Sequence, residues 1–202
     1  MPVSLTILGN LLPVAGVLFL GWDIYTLLVY YWCETLIVGF WTALSIALQG
    51  REVGGGSENT IEGRRTGSSK AAILLALHAG FFIAVHLLLM STLYGQDWPG
   101  HLDSPLVFVE TFIVGQGLWP MLAVTFLQRA ATFWERRGGE SRAPAVVELY
   151  VRIAVIQFVV ILGAWGVMLL DTGLIGLALL LAMKTMLDLY WPKVLAWIVN
   201  SG

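Results

Sequence analysis

Five ionisable side chains lie where the surrounding sequence is almost wholly apolar: Glu34, His78, His86, Lys184 and Asp188. Glu34 stands in "YYWCETLIVG" (30–39), the two histidines bound "HAGFFIAVH" (78–86), and Lys184 and Asp188 share "MKTMLDL" (183–189). Carboxylate, imidazole and ammonium groups at such positions can relay protons, hold a polar headgroup or ligate a metal. Lys184 and Asp188 are four residues apart, so on a helix they share a face and can pair directly. His78 and His86 are eight apart, about 80° around a helix and about 12 Å along it. They therefore cannot both bind one ion at bond lengths near ~2 Å. If a metal is held, Glu34 and His86 are the nominated ligands, and a glutamate beside the ion could act as general base. The chain has no HExxH, no histidine pair four apart and no G-x-S-x-G, so no catalytic residue and no cofactor is assigned.

These side chains need elements to carry them, and composition fixes what those are. Of 202 residues 58% are hydrophobic and 12% charged, roughly half the charged share of an ordinary soluble domain. Apolar runs continue for about 18 residues or more, enough to cross a hydrocarbon layer of about 30 Å. The fold expected is an all-α integral membrane protein, a bundle of about six transmembrane helices forming a single domain over 1–202. The spans read at 4–21, 24–48, 71–94, 106–131, 152–170 and 173–191. Asn10 and Pro13 mark a kink in the first, which neighbouring helices can tolerate. Without Lys or Arg ahead of its apolar run, the N-terminus reads as a first span and not as a cleaved signal. Cys33, the sole cysteine, excludes an intrachain disulfide and reads as a small buried apolar residue.

Direction follows from Lys and Arg. Arg51, Arg64, Arg65 and Lys70 fall in 49–70, and Arg129, Arg136, Arg137, Arg142 and Arg152 in 129–152, whereas 21–23, 95–105 and 171–173 have none. Basic loops stay in the cytoplasm, so both termini are expected inside, in the plasma membrane of a bacterial or archaeal cell. The Gly- and Ser-rich stretch 49–70 reads as a flexible cytoplasmic linker. Segment 135–152 reads as lying along the inner surface before turning in. Trp98 and His101 sit in an outer loop, where an interfacial anchor is the ordinary explanation. The partner implied is membrane lipid. No basic patch interleaved with aromatics points to nucleic acid.

Counting down from the outer face at about 1.5 Å per residue puts Glu34 roughly 15 Å deep, Lys184 roughly 17 Å and His86 roughly 12 Å. His78 and Asp188 fall roughly 24 and 22 Å deep. A polar seam follows, with Glu34 opposite Lys184 and His78 opposite Asp188, each contact contributing about 1 kcal/mol. Such a seam can be structural, or it can handle protons or a small molecule, with Trp32, Trp41, Trp119, Trp165 and Phe82 walling an apolar pocket. The alternatives are an intramembrane metal-dependent or acid–base enzyme, and an accessory subunit packed against a protein partner in a larger membrane complex.

"NLLPVAGVLFLGWD" followed by "YYWCETLIVG", then "HAGFFIAVH" and "MKTMLDL" on later spans, resembles a prokaryotic multi-pass membrane family catalogued only as a domain of unknown function. The resemblance covers nearly the whole chain outside 49–70. It implies a six-helix membrane protein whose signature polar positions are Glu34, His78, His86, Lys184 and Asp188. It also implies a further histidine just past the Asp-Leu pair, where this chain has Tyr190 and Trp191. That departure removes a third imidazole from any metal site.

Overall fold

The computed structural model describes residues 16–17, 19–52, 58–135 and 143–170. The elements are α1 (Ile24–Glu52), α2 (Glu58–Tyr94), a short α3 (Pro105–Phe108), a π-helical stretch (Val109–Gly115), α4 (Trp119–Glu135) and α5 (Ala143–Leu170). Among the described residues every regular element is helical. Two are long and apolar enough to cross a membrane, Ile24–Leu48 and Ser68–Tyr94. These coincide with the second and third spans read from the sequence. The last expected span, with Lys184 and Asp188, lies outside the described residues, as does most of the first.

The start of α1 is set by Asp23, whose Oδ1 accepts from the Thr26 amide at 2.7 Å. A capping carboxylate satisfies one of the donors that a helix start leaves without a partner. Gly21 takes φ +67° just ahead of it, which lets the chain reverse within 21–23. Trp22 then folds its ring flat over Gly16, where a Cβ would come within 2.4 Å of Trp22 Cε3.

Helices α1 and α2 form an antiparallel hairpin with a regular register. Tyr25 Oη meets Ser91 Oγ at 2.7 Å, Trp32 Nε1 donates to the Ile83 carbonyl at 2.8 Å, and Ser68 Oγ donates to the Ile46 carbonyl. Ala72, Leu75, Ala79, Ile83, His86 and Met90 are buried at steps of three and four, the spacing of one helix face laid against a neighbour. The opposite face of α2 exposes Ile73, Leu74, Leu77, Phe81 and Leu88. A contiguous apolar surface of that kind suits hydrocarbon.

From Tyr25 to Tyr31 every residue of α1 is buried. A helix apolar all round belongs inside a bundle, and here Met90, Phe112, Leu118 and Val160 complete the surrounding core. A second cluster joins Val38 of α1 to Leu75, Ala79 and Ile83 of α2 and to Leu149 and Ile153 of α5.

Three stretches differ from the sequence expectation. The span read at 106–131 is bent by 95° between Pro105–Gly115 and Trp119–Glu135. Gly117 sits at the bend with φ +67°, and Pro120 follows in the first turn of α4, where its missing N–H costs nothing. The Gln116 carbonyl is satisfied by Trp22 Nε1 at 2.9 Å, so the break leaves no orphan there. In the stretch read as a flexible linker, 49–52 and 58–70 are helical. No proline interrupts it, and a helix already nucleated in a span extends at little cost. Finally, 143–152 is the beginning of α5, continuous with the following apolar run and not a separate surface segment.

Candidate functional site

Glu34 lies near the middle of Ile24–Leu48, with a side chain only 12% exposed. Its Oε2 is 3.9 Å from Nη1 of Arg152, which is equally sheltered. Nε of Arg152 also meets Oε1 of Glu148 at 3.3 Å. That same carboxylate oxygen accepts from Nη2 of Arg129 at 2.6 Å. Glu34, Arg152, Glu148 and Arg129 thus form a ladder of alternating charge across α1, α5 and α4. Exposure grows along it, reaching 19% at Glu148 and 26% at Arg129. Among the described residues two carboxylates and two guanidiniums balance, which offsets part of the penalty for charge in a low-dielectric setting.

Burial of Glu148 favours its neutral form, but the charges and hydrogen bonds of Arg129 and Arg152 outweigh that and hold its carboxyl below the ordinary value. Glu148 precedes the 152–170 apolar run, at the edge of the bundle. Arg152 is the shared member of the ladder: it serves one carboxylate deeper in the bundle and one nearer its edge.

The two histidines have separate partners. His78 Nδ1 meets the Tyr150 hydroxyl at 2.6 Å, and its ring packs against Phe82 and Tyr150. His86, buried in the α1–α2 seam, places Nδ1 2.6 Å from the Phe82 carbonyl. A carbonyl only accepts, so Nδ1 carries a proton. Among the described residues Nε2 of His86 has no hydrogen-bond partner. The hairpin register sets His86 level with Val29, roughly 8 Å along the axis from Glu34. Among the described residues no three His, Cys, Asp or Glu side chains gather as metal ligands. Lys184 and Asp188 lie outside the described residues.

The aromatic residues nominated for a pocket face different neighbours. Trp32 binds the Ile83 carbonyl and touches Phe108, Trp41 packs on Phe126 and Phe133, and Trp119 is exposed. The side chain of Trp165 lies outside the described residues.

Sequence reasoning missed two constellations. Arg129 entered only as a topology charge and Glu148 not at all, although "ELYVR" (148–152) holds Glu ahead of Arg at a four-residue step, the favourable order on a helix. The second is a latch over the turn at 21–23. His101 Nε2 meets the Tyr25 hydroxyl at 2.6 Å, and His101 Nδ1 faces the Trp98 carbonyl. Trp98 Nε1 donates to Asp23 Oδ2 at 2.8 Å. Phe112 lies edge-on to Tyr25 and His101, with ring centroids 5.4 and 5.8 Å away. Asp23 therefore caps α1 with one oxygen and fastens the 95–104 loop with the other. An interfacial anchor for Trp98 explains its exposed neighbours but not this bond.

No curated protein and no solved structure matches the chain. The profile of a family of unknown function, DUF6498, matches residues 1–197, which takes in α1 to α5 and every residue of the ladder. The chain belongs to that family.

Proposed function

We propose that this is a six-span plasma-membrane protein with both termini in the cytoplasm, and that its polar ladder handles protons for a small-molecule step within the bilayer. The two spanning-length helices and the complete asymmetry of Lys and Arg between alternate loops support the topology. The observation that carries the functional reading is the position of Arg152, shared between Glu34 at mid-helix and Glu148 nearer the edge. A cation with two carboxylates is a two-position element. Protonating Glu34 releases Arg152 toward Glu148, and deprotonating it draws the guanidinium back. Ionisable groups at membrane depth are functional candidates by default, because purely structural contacts are available at lower cost.

The test is proton flux into proteoliposomes under an imposed pH gradient. Flux is expected to fall at least tenfold in Glu34→Gln, and to be retained in part by Arg152→Lys. Equal flux in wild type and Glu34→Gln, with the protein folded, removes the proton-handling role and leaves the ladder as helix-to-helix glue.

A further inference from the structure

The hairpin leaves a groove between α1 and α2. Gly39 and Ala43 of α1 face Ala76, Ala79 and Gly80 of α2 across it, and Leu149 of α5 forms its floor. Its volume is about 460 Å³. It runs along α1 from Leu36 to Ala47, roughly 16 Å at helical rise. The small residues keep it open: a Cβ built at Gly80 meets nothing within 4 Å, and one at Gly39 only touches Leu149.

We propose that this groove seats one acyl chain of an anionic phospholipid. The inference goes beyond the proton-handling reading and rests only on the membrane location. The groove is an open apolar slot along one helix face, and a single alkyl chain is narrow enough to lie in it. The walls are hydrocarbon, with Leu36, Phe40 and Ile73 at the rim, so nothing in the groove hydrogen-bonds a polar ligand. Charge selects the headgroup. The end of the groove at Ala47 and Ala72 lies two residues from the exposed Lys70. A lipid phosphate at that end meets the ammonium of Lys70, the kind of basic group that attracts anionic headgroups near a membrane surface.

The experiment uses the full chain in vesicles of phosphatidylglycerol and phosphatidylcholine carrying a photoactivatable group on the acyl chain. Cross-links are mapped by mass spectrometry, with native mass spectrometry of the same preparation to count retained lipid and copies of the chain. Phosphatidylglycerol probe is expected to label the two groove walls, 36–47 and 72–83, with at least fivefold preference over the phosphatidylcholine probe. Gly80→Leu, which fills the groove without displacing packed atoms, is expected to cut that labelling at least fivefold. Ala76→Leu provides a second filling variant, and Leu74→Phe, on the exposed face outside the groove, leaves labelling unchanged. Lys70→Glu is expected to erase the preference for phosphatidylglycerol while the acyl chain still labels. Labelling spread evenly over Leu74, Leu77 and Phe81, or unaltered in both filling variants, overturns the proposal. So does a second copy of the chain cross-linked through the groove. A chain recovered without detergent overturns the membrane location itself, a different outcome from an empty groove in a membrane-embedded protein.

Discussion

The guanidinium of Arg152 reaches the carboxylate of Glu34 across the α1–α5 contact, 3.9 Å away, while holding Glu148 at 3.3 Å with its Nε. Both side chains are mostly sheltered, so removing either leaves a charge with poorer compensation than water would give. Arg152→Gln is therefore expected to destabilise the folded protein by about 3 kcal/mol. The double variant with Glu34→Gln should lose less than the sum of the two single changes. Denaturant titration of all four proteins in the same detergent checks this, and strictly additive losses mean that the two residues do not interact.

Glu148 makes the ladder sensitive to acid. Its folded-state pKa is depressed, with burial opposing and Arg129 and Arg152 driving the shift. A depressed carboxyl contributes stability that is fully present above its unfolded value and is lost as pH falls through the folded one. Thermal stability should thus hold near neutral pH and decline below the ordinary glutamate value of 4.5. Glu148→Gln is expected to cost about 2 kcal/mol at neutral pH and to flatten that decline. Melting curves from neutral to acid pH decide it.

Tyr25→Phe tests the latch between α1 and the 95–104 loop. The hydroxyl meets both Ser91 and His101, and its loss leaves Nε2 of the buried His101 without that bond at about 1–2 kcal/mol. Protease cutting within 95–104 should speed up well before the helices melt. Trp98→Phe, which removes the bond to Asp23, is expected to loosen the same loop. Unchanged cutting in both variants means that the loop is held by ring packing alone.

Three glycines separate steric from conformational demands. Gly16→Ala drives a methyl into the Trp22 ring at 2.4 Å and is expected to destabilise by about 1–3 kcal/mol. Gly21→Ala meets open space, yet the φ of +67° penalises any Cβ there, at roughly 1 kcal/mol or more. Gly80→Ala, in open space on a helix, should be neutral or gain about 0.5–1 kcal/mol. Melting temperatures of the three variants should rank in that order.

Apolar run length made the spanning-length stretches Ile24–Leu48 and Ser68–Tyr94 readable to within a few residues, because hydrophobic span length follows directly from bilayer thickness. Depth counting placed Glu34 within its helix and paired it by level with Lys184, which lies outside the described residues, while Arg152 is the charge found beside it at 3.9 Å. Rise along one helix fixes level and says nothing of which helix stands beside it. Arg152 was legible as a topology signal, and that reading hid its second use as a partner for Glu34. The 95° bend was written in Gly117 and Pro120, but the apolar composition continues unbroken through them. In 49–52 and 58–70, glycine and serine content suggested coil, while helical continuation from α1 and α2 gave helix. The Tyr25–His101 contact joins positions 76 apart, beyond the reach of any local pattern.

The Glu34–Arg152 contact also imposes a schedule on biosynthesis. The two residues are 118 positions apart (152 minus 34). At a synthesis rate of about 5–20 residues per second, the ribosome delivers Arg152 roughly 6 to 24 seconds after Glu34. During that interval the α1–α2 hairpin, complete by Tyr94, already exists as a unit. The carboxylate must wait in the half-built bundle, kept by whatever water, lipid or chaperone is at hand, until α5 emerges. A stall in translation between Tyr94 and Ala143 would lengthen that wait, leaving the nascent chain as the form of this protein most exposed to quality control.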